Sequence, residues 1–515
     1  MRFAGFYIWL LITVCTTYAG AQTVLSKKKA DAYFANEIYQ MALPAYLHYL
    51  DKDPYSEELN FKAGVCLVHL RKADEAISYL EKALSRRYAP AYFYRGLARH
   101  YQAKPAEAID DYLKFKHYAS SEDYMLYNVD RHITIALRAQ HMMRNPVDVT
   151  IKNLGPGINS PYSDYVPVVS ADESTLIFTS RRPNTPENMA DTDSSYYEDI
   201  YISENNDNGW EKAHSIGSNI NTDKHEASVG LSADGQKLIL YRMGEKYYGG
   251  DLYISMLTGK EWGKPEKIGG DINSAFWEPS ACLSADEKMI IFSSNRPGGY
   301  GGRDLYSARK LPDGTWSKAS NLGPIINTPY DEDAPFLHPD GRTLFFSSTG
   351  HTTMGGFDIF RTYLQADSIW KLPENMGYPI NTVDDDIYFV LSTDGQRGYY
   401  SSDRSGGSGE KDIYVIHLSD DKLPLTVIKG KVQDNVSGMP VKVAITVIDL
   451  DSREIQGVYT SNSETGKYLI VLPPGKRFKA VIEADNYYSV SDYLDLSAYA
   501  DYAEISKDIE LKPVK

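Results

Sequence analysis

Five carboxylates and three guanidinium groups recur in this chain at fixed intervals, and they are the side chains best spaced for chemistry. Asp164, Glu226, Glu278, Glu332 and Asp386 each stand five residues after an Ile-Asn step. Arg182, Arg296 and Arg404 each stand ten residues after a turn aspartate, with Gly244 and Gly350 at the matching positions of two further copies. A ring of acids can hold a cation or dock a basic segment, and arginines can grip a partner's carboxylates through two hydrogen bonds. The plainer reading is that the acids and arginines hold neighbouring strands together, because a feature present in every copy answers a need of every copy.

The remaining candidates are weaker. The runs Asp331-Glu332-Asp333 and Asp384-Asp385-Asp386 lack the spaced oxygen ligands and central glycine of a calcium loop. Gly298 to Gly302 carries no following Lys-Ser/Thr and precedes no helix, so it is not a phosphate loop. Gly406-Gly407-Ser408-Gly409-Glu410 misses the nucleophile-elbow pattern at its last residue. His225-Glu226 has no second histidine at zinc-protease spacing, and the 11 histidines are scattered. No Ser/His/Asp or Cys/His set stands out, so a non-enzymatic protein without cofactor or metal is expected.

The elements that carry these groups form a repeat. The Ile-Asn asparagines Asn159, Asn221, Asn273, Asn327 and Asn381 are 62, 52, 54 and 54 residues apart. In step with them run a turn aspartate, an apolar stretch such as Met289-Ile290-Ile291-Phe292-Ser293, a glycine turn and an Asp-Ile/Leu-Tyr/Phe triplet. The apolar stretch is too short for a helix and suits a strand covered on both faces. Trp316 to Ala319 reads as a fourth strand. Four short strands per copy at a period this long predict a β-propeller of five blades, or six with one unrecognised blade. The last copy ends without its fourth strand, and Val147 to Lys152 supplies a spare one before the first. That strand is expected to complete the last blade and remove a sheet edge.

Flanking segments differ. Met1 to Ala21 reads as an export signal cleaved after Ala21: Arg2, a short apolar core, then Ala19-Gly20-Ala21. Cys15 is preceded by Thr13-Val14, which does not suit lipidation. Residues 22–145 read as helices. Gly64 and Gly96, Ala76 and Ala108, and Leu80 and Tyr112 are each 32 apart, and a capping helix is expected near Asp123 to Met143. This resembles tetratricopeptide repeats. The propeller spans 146–421, a short hinge follows at Asp420 to Pro424, and strand patterns resume over 425–515. Cys66 and Cys282 fall in a helix and a buried strand and read as core thiols.

The net charge of −15 argues against nucleic acid as a partner. It is uneven, since residues 22–145 carry 18 Lys/Arg against 15 Asp/Glu.

The Ser-x-Asp-Gly, Ile-Phe-x-Ser, Arg-x-Gly-Gly and Asp-Ile-Tyr elements resemble TolB-type repeats. Gly430-Lys431-Val432, Thr465-Gly466-Lys467-Tyr468, Leu472-Pro473-Pro474-Gly475 and Ala484-Asp485-Asn486-Tyr487 resemble the carboxypeptidase-regulatory-like, transthyretin-like β-sandwich. The order of signal, helical repeats, propeller and sandwich is similar to the PorE-like periplasmic group of the Bacteroidetes type IX secretion and gliding apparatus. That resemblance implies a scaffold in the periplasm at the outer membrane, with envelope or secretion-system proteins as partners and no transmembrane segment in the mature chain. Its members usually add an OmpA-like domain after the sandwich. The sequence stops at Lys515, so peptidoglycan contact is not carried over. Two other functions fit the pattern: a propeller that binds or processes envelope glycan, and a TolB-like partner of another outer-membrane system.

Overall fold

A computed structural model describes residues 25–514 except 86–87, 184–195, 207, 245–248, 367 and 419–424. The export signal and the hinge lie outside the described residues.

Among the described residues eight helices come first: α1 (Lys27–Ala35), α2 (Tyr39–Leu50), α3 (Glu57–His69), α4 (Ala73–Lys82), α5 (Pro90–Tyr101), α6 (Pro105–Tyr118), α7 (Ser121–Tyr127) and α8 (Val129–Arg144). The first six pack as antiparallel pairs. Gly64 and Gly96 sit where a Cβ would meet the Leu80 side chain at 2.5 Å and the Tyr112 ring at 2.7 Å. The 32-residue spacing therefore records two close helix crossings. The capping segment is not one helix: Asn128, at φ +44°, ends α7 and starts α8. An asparagine tolerates this left-handed conformation better than most residues. No helix among the described residues is long and apolar enough to cross a membrane.

Next come five antiparallel sheets of four or five strands each. Their innermost strands are Asp164–Val169, Glu226–Leu231, Ala281–Leu283, Glu332–Leu337 and Asp386–Leu391. Each touches the next, and the fifth touches the first, so the sheets form a closed ring. The outer strand of the fifth sheet is Val149–Asn153, paired antiparallel with Asp412–Leu418. In the third sheet the outer strand is Ser320–Asn321, and Trp316 contributes only an isolated bridge to Lys310. The tryptophan segment therefore leads into the fourth strand instead of forming it.

Each Ile-Asn asparagine acts as a strand-end clamp on the preceding sheet. Asn221, Asn273, Asn327 and Asn381 accept from and donate to the backbone of Ile200, Leu252, Leu305 and Ile359. Asn159 does the same to Ile413, so the first repeat closes on the last (2.8 and 2.9 Å). At the same junction Arg397 Nε donates to Glu173 (2.9 Å) and Tyr399 donates to the same carboxylate (2.8 Å).

The C-terminal region forms two four-stranded sheets. One joins Lys467–Leu472, Thr426–Asp434 and two short parallel pieces, Ala503–Ser506 and Ile509–Leu511; the other joins Ile455–Thr460, Ala444–Asp449, Arg477–Glu483 and Val490–Asp495. Ile428, Ile470 and Leu472 face Ile445, Val447 and Phe478 in the core between them. Alternate residues Val427, Leu469 and Val471 point the other way, onto Ala171 and Ala233 of the ring.

The helices and the C-terminal sheets occupy opposite faces of the ring. α8 packs Ala139, Met142 and Met143 against Met354 and Val383. Its Arg131 and Arg138 donate to the carbonyls of Thr349 and His351, and His100 of α5 contacts the Met354 carbonyl at 2.9 Å. Across the ring, Gln236, Lys288 and Gly259 bond to Thr460, Ile455 and Asn462.

Candidate binding cleft at the mouth of the ring

Four of the five repeat acids open an innermost strand and Glu278 lies three residues before its own; all are fully buried. Each is gripped locally by the Ser or Thr that follows the Ile-Asn asparagine. In the third repeat Ser274 donates its N–H (3.1 Å) and its hydroxyl (2.6 Å) to Glu278, and Ser294 adds a third bond (2.7 Å). Ser160, Thr222, Thr328 and Thr382 treat Asp164, Glu226, Glu332 and Asp386 alike.

The arginines complete these sites. Arg182, Arg296 and Arg404 pair with Asp164, Glu278 and Asp386, the last two at 3.2 and 3.4 Å. Each also donates to an isoleucine carbonyl: Ile158, Ile272 or Ile380. Each guanidinium stands over two strand aromatics, as Arg296 does over Phe292 (5.0 Å) and Tyr306 (5.1 Å). A buried carboxylate held by a counter-charge and a full hydrogen-bond set is a strand-locking device.

Two positions of this ring differ from the ten-residue spacing. In the second repeat the guanidinium comes from Arg242, which pairs with Glu226 at 3.1 Å and donates to the Ile220 carbonyl; Gly244 lies beyond it. In the fourth repeat Gly350 cannot carry a side chain, since a Cβ there would meet Thr328 at 2.1 Å. His351 takes the place instead, with Nε2 2.8 Å from the Ile326 carbonyl and its ring against Phe346 and Phe360. Glu332 consequently has no cation, and burial pushes its carboxyl up to about 7. The fourth repeat is also where α8 docks, on Thr349 and His351. A departure from the repeat thus marks an interface.

Where the α3–α4 and α5–α6 turns overhang the fifth sheet there is a cleft of about 1440 Å³ that continues into the channel mouth. Arg71, in the α3–α4 turn at φ +58°, reaches across to Asp384 (3.3 Å) and Asp385 (3.8 Å) and lies 4.0 Å from the Tyr101 ring. Lys411 stands near Asp403 (3.7 Å) and Asp385 (4.0 Å). On the opposite wall Arg303 pairs with Asp331 and Asp333 and stacks between Trp277 and Phe357. Arg181 pairs with Glu198 at 3.0 Å.

Burial and neighbouring carboxylates shape the titration here. Burial raises Asp384 to about 7 against the pull of Arg71, and burial raises Asp403 to about 6 against Lys411. Glu198 goes the other way, to about 2, because bonds from His225 and Tyr165 and the Arg181 charge outweigh its burial. Both acidic runs are accounted for by these contacts, by the hydrogen bonds that Thr328 and Ser348 donate to Glu332, and by the buried Asp386–Arg404 pair. Among the described residues no group of three or more His, Cys, Asp or Glu side chains is placed to hold a metal ion.

Sequence reasoning pointed to the repeat acids and missed the cleft. Arg71 and Asp384 are 313 residues apart, and no local pattern links them. The spacing of Arg242 was hidden because its strand, Lys237–Met243, places the arginine two residues earlier.

No protein-family model matches the sequence. No curated protein matches it. Among solved structures it is similar over part of its length to TolB from Acinetobacter baumannii: 14% identity, 52% of this chain, 57% of that one, TM-score 0.32. The chain thus spans less than two thirds of that TolB. It is similar to the first tetratricopeptide (TPR) domain of human RPAP3 at 27% identity, covering 24% of this chain and 94% of that one, TM-score 0.21. An endo-arabinase from Bacteroides thetaiotaomicron is 14% identical over 52% of this chain and 98% of that one, TM-score 0.35. The neighbours therefore include TolB-like propellers and a tetratricopeptide domain, alongside a glycan-processing propeller.

Proposed function

We propose that this chain is a non-enzymatic scaffold of the bacterial envelope. In this reading a five-bladed propeller (146–421) carries tetratricopeptide-like repeats (22–145) on one face and a carboxypeptidase-regulatory-like sandwich (425–515) on the other. The signal at 1–21 exports it to the periplasm at the outer membrane. The type IX secretion or gliding apparatus is its setting, with subunits of that apparatus as partners.

The observation that carries this reading is the use made of the recurring ionisable groups. The acids best spaced for chemistry are all buried: four pair with an arginine, and Glu332 is held by hydrogen bonds from Thr328 and Ser348. What remains for function is surface: a helical groove, a cleft and two strand-edged sheets, held in one fixed stack. Such surfaces recruit other chains.

Cross-linking and affinity capture of the tagged full chain from envelope membranes tests this. Recovery of secretion or gliding subunits in fixed proportion is the expected result. Recovery of a Tol-type complex would move the setting to another outer-membrane system, and recovery of no envelope protein would end the scaffold reading.

A further inference from the structure

We propose that the cleft between the helical turns and the ring mouth binds a neutral oligosaccharide. The inference stands on the cleft and is independent of the scaffold reading.

The first ground is charge. Arg71 faces Asp384 and Asp385, Arg303 faces Asp331 and Asp333, Arg181 faces Glu198, and Lys411 faces Asp403. Each cation of this set already has its counter-ion within 4.0 Å. A charged ligand that engages any of these four cations has to displace its partner and leave that partner desolvated, which is costly. A polyol does neither. Its hydroxyls donate to spare carboxylate lone pairs and accept from spare guanidinium N–H groups without disturbing the pairs.

The second ground is shape and surface. Tyr165, Phe357, Tyr378 and Tyr388 line the same cavity, all partly exposed. Flat rings between polar groups suit a pyranose or furanose, which has an apolar face and a hydroxylated rim. The volume of about 1440 Å³ exceeds the roughly 300–1,000 Å³ usual for single small ligands. It therefore has room for several sugar units in a row.

The third ground weighs against an extended peptide. A peptide added as a strand needs an uninterrupted edge. Three of the innermost strands are bulged near their start, with Val166, Ala334 and Tyr388 at positive φ and the register shifting beside them, and Tyr388 is in the cleft wall itself.

The test is calorimetric titration of the full chain with cellohexaose, chitohexaose and arabinohexaose, with polygalacturonate as the charged control. At least one neutral hexasaccharide is expected to bind. Tyr388→Ala and Asp385→Asn are each expected to weaken that binding tenfold or more, with the thermal midpoint checked for each. Binding that survives both substitutions unchanged overturns the proposal. So does failure of all three hexasaccharides, or preference for polygalacturonate. Cleavage of a hexasaccharide, lost in the same two variants, would support the cleft assignment and overturn only the non-enzymatic reading.

Discussion

The imidazole of His351 occupies, in the fourth repeat, the place that the guanidinium of Arg296 holds in the third. Both meet an isoleucine carbonyl at 2.8 Å, and both lie against the paired aromatics of their sheet. The exchange keeps the packing and removes the charge. Among the described residues Glu332 is left as the ring acid with a hydrogen-bond shell and no cation beside it.

This has a signed consequence for stability. Glu332 titrates near 4.5 when unfolded and is raised to about 7 when folded. Between these values the folded state holds more protons, so stability falls as pH rises through that window. The full shift corresponds to about 3 kcal/mol at most. Glu332→Gln should flatten this part of the ring's stability profile between pH 4.5 and 7, measured by denaturant unfolding. An unchanged slope would count against the assignment.

The helical unit should respond oppositely. Burial depresses His100 and His132 to about 4, from an ordinary 6.5. Between these values the unfolded chain holds more protons, so helix stability is lost as pH falls from 6.5 towards 4. Calorimetry across that range should show the helical transition moving down while the Glu332 contribution of the ring moves up. His100→Gln should reduce the helical response.

Arg296→Met leaves the Glu278 carboxylate buried without its counter-charge and should cost roughly 3–5 kcal/mol. Adding Glu278→Gln should recover a large part of that loss, since the amide still accepts from Ser274 and Ser294. Comparison of the single and double variants in urea measures the coupling. Losses in the two single variants that simply add in the double would mean the pair is not coupled.

Gly96→Val places methyl groups where the Tyr112 ring already sits, 2.7 Å from the first added carbon. Overpacking of this kind costs roughly 1–3 kcal/mol. The loss should appear in the helical transition alone, with the ring's transition unmoved. The same holds for Gly64→Val against Leu80.

Much of the ring was readable because its determinants are local. A clamp asparagine, the hydroxyl after it and the acid four residues beyond that hydroxyl make one self-contained turn, as Asn273, Ser274 and Glu278 show. The continuous apolar run Leu469 to Leu472 likewise shows strands covered on both sides, with the core on one side and the ring on the other. Contacts between distant segments left no such trace. Arg71 meets Asp384 only because α8 seats the helices on the fourth repeat, and the broken cap at Asn128 depends on a single residue's left-handed conformation. His351 was legible only as an irregularity in the repeat, and its meaning came from what lies against it.

The register of the closing pair has a mechanical side. Val149 lies opposite Leu418, so the polypeptide enters and leaves the ring side by side, at the same end of one antiparallel ladder. Tension drawn between the helical segment and the C-terminal sheets would not slide these strands past one another. It would open them like a zip, one rung at a time, from Val149 towards Asn153. The contacts of both flanking units with the ring faces are therefore what shields that seam from load.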